Sequence, residues 1–169
     1  MSEIDQFQGS LDGSGKRFAI VASRFNGKLV DALVVGALDC LRRHGAKDGD
    51  VSVVRVPGAW EIPLALRYLA GQRRWDGLVA LGVVIRGETH HFDLICREAS
   101  HGCARVSLDS EIPVGFGVLA CENREQAAER AGGKVGNKGW EAAMAALEMA
   151  GLARALTGSE KGRKESEED

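Results

Sequence analysis

Four nearly unbroken apolar runs alternate along the chain with stretches whose apolar residues return at helical spacing. The runs are Arg17–Ala22, Val51–Val56, Asp76–Ile85 and Ile112–Leu119. All four predict strands, and Asp76–Ile85, the most continuous, predicts one buried on both faces of a parallel sheet. Pro113 falls at the start of its run, where a missing N–H does least harm. From Lys28 to His44 the stripe Leu29/Val30, Leu33/Val34, Ala37/Leu38, Leu41 predicts a helix that ends in basic residues and Gly45. A second helix runs from the Pro57–Pro63 loop to about Ala70, with Pro63 confined to its first turn. A third is predicted over Phe92–Ser107, and a short fourth over Glu122–Ala131, closed by Gly132-Gly133. The last begins at Asn137-Lys-Gly-Trp140, with Trp140, Ala143/Met144, Leu147 and Ala150 on one stripe.

Strands alternating with helices imply right-handed crossovers and helices on both faces. The expected fold class is α/β: a three-layer sandwich with a four-stranded parallel sheet flanked by helices, flavodoxin-like or Rossmann-like. No internal repeat interrupts it. The polar, Gly-rich N-terminus holds one short alternating piece, Phe7-Gln-Gly-Ser-Leu11, which predicts a further strand at a sheet edge or paired with a neighbouring subunit. Past Thr157 no residue is apolar, and disorder is expected. The 169 residues are thus expected to form a single domain over 1–157, large enough to bury about two thirds of its unfolded surface, and a charged tail over 158–169.

Charge and cysteine content narrow the function. The formal net charge of −2 lacks the basic excess of nucleic-acid binders. The tail alone accounts for it, with three basic and five acidic side chains. Cys40, Cys96, Cys103 and Cys121 show no CxxC spacing, and no basic patch and apolar core opens the chain, so reduced thiols and a cytoplasmic location are expected. No apolar run approaches the roughly 18 residues that span a bilayer.

The chemistry gathers where strands end. Arg24-Phe25-Asn26, Gly58-Ala-Trp-Glu61, Arg86-Gly-Glu-Thr-His-His91 and Gly117–Asn123 each follow a predicted strand. In a parallel sheet these loops share one edge, where such folds bind ligands; ordinary connecting turns would share it too. Gly87-Glu88-Thr89 at a helix start offers backbone N–H groups to an anion. Glu88 and Asp93 oppose one, so a cation is required, with Arg86, Arg130 and Lys138 as candidates. His91 suits proton transfer, since histidine titrates near pH 6.5, or is simply a solvated residue at a helix start. Adjacent His90 and His91 point apart on a helix and no HExxH accompanies them, which argues against a metal site. Phe25 and Trp60 are either a platform for a planar ring or core. Neither GxxxxGK[ST] nor GxGxxG occurs, which sets aside nucleoside triphosphates and dinucleotides.

Five segments in order, Arg24–Asn26, Val56–Pro63, Leu81–Asp93, Pro113–Asn123 and Glu125–Gly132 with Gly136–Gly139, make residues 7–155 resemble the lumazine synthase family. The resemblance implies condensation of 5-amino-6-(D-ribitylamino)uracil with 3,4-dihydroxy-2-butanone 4-phosphate to 6,7-dimethyl-8-ribityllumazine, with loss of phosphate and water. No cofactor and no metal are implied. Carried over by position, Phe25 and Trp60 face the pyrimidine ring, and Glu61 with its neighbours holds the ribityl chain. Val84 and Ile85 offer backbone groups, with Ala59 and Val83 also lining the substrate. Gly87, Glu88 and Thr89 seat the phosphate with Arg130 as its cation, and His91 transfers protons. Phe116, Arg130 and Lys138 come from the adjacent subunit, so the resemblance implies a homo-oligomer, a pentamer or pentamer-based assembly. The Gly132–Gly139 linker carries no insertion, which is compatible with a closed shell. One departure is Ala120-Cys121, where the family commonly has hydroxyl residues. A silent relative that binds flavin-like ligands and a flavodoxin-like electron carrier are the alternative classes; Ser23-Arg-Phe-Asn is a poor phosphate loop for the latter.

Overall fold

Four parallel strands, β1 (Phe18–Ser23), β2 (Val51–Val56), β3 (Gly77–Ile85) and β4 (Val114–Cys121), lie in the order β2-β1-β3-β4. The computed structural model describes residues 4–167, and for 159–167 the course of the backbone alone. Five helices connect and cover the sheet: α1 (Gly27–Arg43), α2 (Ile62–Gly71), α3 (His91–Ser110), α4 (Arg124–Arg130) and α5 (Lys138–Glu167). The chain leaves β1 for β2, then turns back across β1 to reach β3 and β4. That reversal sends the connecting helices to opposite faces if every crossover keeps one hand.

The core shows this division. Phe18, Ile20, Ala22, Val79, Leu81, Val83, Leu119 and Cys121 pack under α1 and α5. Their strand neighbours Ala19, Val21, Leu78, Ala80 and Val118 pack under α2 and α3. Every side chain of β1 is buried, which explains its unbroken apolar run. The result is the expected three-layer α/β sandwich, and its strand order is flavodoxin-like. Predicted and observed element ends differ by a few residues. Gly45 (φ 92°) is left-handed just past α1, and Pro63 lies in the first turn of α2.

Three features differ from expectation. Phe7–Leu11 forms no strand within this chain: residues 4–13 are irregular and follow α5, with Gly9 against the Glu148 carbonyl and Ser10 against Gly151. Gly9 permits that close approach, so the segment lies on a helix instead of a sheet edge. The Gly132–Gly139 linker contains a small antiparallel hairpin, β5 (Ala131–Gly133) and β6 (Gly136–Asn137), with Gly132 and Gly136 in left-handed conformations. Finally, α5 continues past Thr157 to Glu167, over residues expected to be disordered. The glutamates and lysines there are good helix formers even without an apolar face.

Small residues bring α5 against its neighbours. A methyl group on Gly139 would collide with the Leu33 carbonyl of α1, and one on Gly115 with the Ala142 carbonyl of α5. Gly139→Ala gains about 1 kcal/mol of helix propensity. Forcing α5 off α1 costs about 3 kcal/mol, so a net loss of about 2 kcal/mol is expected. Thermal melting of the variant should fall by roughly 4–8 °C; an unchanged midpoint would show that the two helices separate freely.

Candidate active site

Connections leave β1 and β3 in opposite directions, so a crevice opens between their carboxyl ends. The loop after β1 is pinned on one side by Arg24 N–H to Val56 O (2.8 Å) and Phe25 N–H to Pro57 O (3.1 Å). On the other side Asn26 Nδ2 donates to Val83 O (2.9 Å) across the crevice. Asn26 is left-handed (φ 57°) and heads α1, its carbonyl accepting from Leu29 and Val30. With its backbone held on both sides, Phe25 stands out, 72 % exposed.

Asn26→Ala removes the bond to Val83, worth about 1 kcal/mol, and leaves a side chain poorly suited to the left-handed region, about 1 kcal/mol more. Asn26→Gly loses only the first. The expected order of melting midpoints is wild type, then Asn26→Gly, then Asn26→Ala; reversal of the two variants would show that backbone conformation contributes nothing.

Trp60 stands on a one-turn 3-10 helix, Ala59–Glu61, and is 56 % exposed. Glu61 Oε2 accepts from Gly58 N–H (2.9 Å), so this carboxylate shapes its own loop. Ala59 is buried against the α2/α3 core. Exposure rules out a core role for both Phe25 and Trp60.

β3 pairs with β4 through Ile85 but with β1 only through Leu81. Its last residues, Gly82–Ile85, therefore have one open edge. Leu78 and Arg86 direct their N–H groups to β4, and strand alternation gives Val84 the same direction and Val83 and Ile85 the opposite one. The Val84 peptide groups are thus committed to the sheet, contrary to the expectation that they face a ring. Those of Ile85 point into the crevice, while Val83 O is taken by Asn26 and its side chain is core.

Beyond Ile85 the chain turns through exposed Gly87, Glu88, Thr89 and His90 into α3. Thr89 Oγ1 accepts from His91 N–H (3.4 Å). His90 Nδ1 lies 3.7 Å from Asp93, whereas the exposed ring of His91 has no hydrogen-bond partner among the described residues. Arg86 turns away from the loop to Glu122 (2.8 Å) and Asp93 (3.3 Å). It is therefore not a free cation for an anion.

Arg130 ends α4, donating to Gln126 O (3.0 Å), and its charge partly offsets the upward push of burial on the Cys121 thiol. Lys138 opens α5 beside Glu141 (2.6 Å). Within one chain neither forms a hydrogen bond or ion pair with residues 86–91 among those described. Phe116, Val118 and Ala120 project from edge strand β4 into a groove beside Asp93, Cys96, Arg97 and Ser100 of α3. The next residue, Cys121, faces the opposite core.

Thiol chemistry is absent from this arrangement. Burial pushes Cys103 up to about 12 and Cys40 up to about 11. Burial also raises Cys96 and Cys121, so all four stay protonated near neutrality. Among the described residues no three metal-ligating side chains converge, and no helix is long and apolar enough to cross a membrane.

Sequence reasoning missed three supporting groups. Asn26 bridges the crevice. Asn137 caps α5 through Gly139 N–H (2.8 Å) and Trp140 N–H (3.2 Å) and reaches Ala32 O of α1 (2.9 Å). At the start of α4, Asn123 Oδ1 accepts from Gln126 N–H (2.9 Å) and Gln126 Oε1 accepts from Glu122 N–H (2.9 Å); the Asn-x-x-Gln spacing was a readable signal for that last pair.

Fold and crevice together define a flavodoxin-like α/β enzyme whose site is built from loops at the carboxyl edge of its sheet. Residues 15–154 match the family model described as 6,7-dimethyl-8-ribityllumazine synthase. Relatives of that name include one from Chlorobium phaeobacteroides, 55 % identical over 90 % of this chain and 98 % of the relative. Another, from Aquifex aeolicus, is 54 % identical over 89 % of this chain and 97 % of its own length. One from Desulfovibrio desulfuricans is 55 % identical over 88 % and 95 %. The chain belongs to the 6,7-dimethyl-8-ribityllumazine synthase family. It is a transferase that condenses 5-amino-6-(D-ribitylamino)uracil with 3,4-dihydroxy-2-butanone 4-phosphate, the penultimate step of riboflavin biosynthesis.

Proposed function

We propose that the crevice between β1 and β3 is where this condensation occurs. The observation that carries the assignment is the exposure of Phe25 and Trp60 on fixed loops at the same sheet edge as His91. Phe25 and Trp60 flank the pyrimidine ring, and the open Ile85 peptide groups meet its edge. Ala59, Val83 and Val84 support the pocket from the core and the sheet behind it, and Glu61 lies toward the ribityl chain. Gly87, Glu88 and Thr89 hold the phosphate, and His91 moves the protons. Amine and ketone react once aligned, so orientation supplies most of the acceleration and proton transfer adds to it.

One chain leaves the site half built. Arg130 and Lys138 form no hydrogen bond or ion pair with the phosphate loop among the described residues, and Phe116 is 46 % exposed on edge strand β4. A second copy that lays its Phe116, Arg130 and Lys138 against the crevice completes it, in a pentamer or a larger pentamer-based assembly. The exposed Ile4, Phe7 and Leu11 of the N-terminal segment are suited to cover a neighbouring subunit. The family match over 15–154 supports a single domain over 1–157. The reduced thiols fit a cytoplasmic enzyme acting on small molecules.

The test is a spectrophotometric assay of lumazine formation with both substrates, run beside light scattering. Product formation by a species of pentamer mass or larger is expected. Ligand binding without product would identify a silent relative, and an active monomer would remove the shared site.

A further inference from the structure

The phosphate loop begins with an electrostatic conflict. An anion at the start of α3 would lie near Asp93, in the first turn of that helix, and near Glu122, just beyond β4. Both are partly exposed carboxylates, and Glu88 in the loop itself adds a third. Arg130, the cation assigned to the anion, must work against them.

Arg86 lies between the first two. Its backbone closes the β3–β4 ladder, N–H to Cys121 O at 2.9 Å. Its Nε donates to Glu122 Oε2 at 2.8 Å, and Nη1 lies 3.3 Å from each oxygen of Asp93. The guanidinium rests over the ring of buried Phe92, 4.2 Å from its centroid, which holds its plane against α3. His90 is the other group beside Asp93, at 3.7 Å. One planar fork thus spans the β4–α4 loop and the first turn of α3, and among the described residues it forms no hydrogen bond with Gly87–Thr89. Exposed ion pairs of this kind add little to global stability, so the network matters for the charge it leaves facing the loop.

We propose that Arg86 is a positioning residue for phosphate binding: it neutralises Asp93 and Glu122 and turns them from the anion, without touching the anion itself. This rests on the assignment of Gly87–Thr89 as the phosphate seat. Lysine supplies the charge but not the two-sided fork, whereas methionine keeps the volume and leaves both carboxylates unpaired.

Calorimetric titration of the assembled protein with inorganic phosphate, and separately with the ribitylaminouracil substrate, tests this at low salt. Arg86→Met should weaken phosphate binding about tenfold through the two uncovered charges, and Arg86→Lys less. Binding of the pyrimidine should change little. In Arg86→Met/Asp93→Asn/Glu122→Gln phosphate affinity should return, and in the single methionine variant the deficit should shrink as salt is raised. Should the methionine variant fail to assemble, Asp93→Asn/Glu122→Gln with Arg86 intact decides: phosphate binding as tight as wild type or tighter is expected, and a loss overturns the proposal. A deficit that persists in the triple variant or is indifferent to salt overturns it as well. If Arg130→Ala weakens phosphate binding but Arg86→Met does not, the inference about Arg86 alone fails. If neither does, the phosphate seat itself is misplaced.

Discussion

His91→Ala is expected to slow single-turnover lumazine formation by roughly 10²–10⁴ at saturating substrates, the range for a positioned proton-transfer group. It should not abolish the reaction, because the crevice still aligns an amine with a ketone that need no covalent help from the protein. His90→Ala is the internal control. The His90 ring leans toward Asp93, whereas that of His91 has no partner among the described residues, so the two neighbours should differ by most of that factor. A loss far above the range would mean that His91 does more than transfer protons. Equal effects at 90 and 91 would place the acid-base group elsewhere.

Arg130→Ala should act on binding. Loss of a charge-assisted contact to phosphate costs about 1.5–3 kcal/mol, roughly a 10–150-fold rise in the dissociation constant for the ketone phosphate. Affinity for the pyrimidine should hold to within about 0.5 kcal/mol, as for a change outside its contacts. Titration of both ligands against the variant measures the difference directly. Equal losses would take Arg130 out of the phosphate seat.

The sheet was legible because its central strands β1 and β3 are buried almost throughout and show as unbroken apolar runs, and α1 because one stripe faces β1 and β3. Phe7–Leu11 takes no place in this chain's own sheet; a period of two over five residues cannot tell an edge strand from an irregular segment lying on a helix. The Gly9 contact with Glu148 belongs to tertiary structure alone. At the site, Phe25, Trp60 and His91 could be found by type and place. What could not be found was commitment. Val84 looked as available as Ile85 until strand pairing turned its peptide groups to β4, and Arg86 looked like a phosphate ligand until Glu122 and Asp93 claimed it. Such partners lie 36 and 7 residues away, beyond the reach of local pattern.

β3 outlasts its partner β1 by the residues Gly82–Ile85. A strand that runs on beside an empty lane presents the hydrogen-bonding row that another strand would take, and a flat heterocycle with adjacent donor and acceptor atoms can dock there as a missing peptide would. Recognition of this kind is written in strand length and not in side chains. A substitution at Ile85 would reshape the crevice wall yet keep the backbone row, whereas shortening β3 by one residue would invert it, turning toward β4 the groups that now face the crevice.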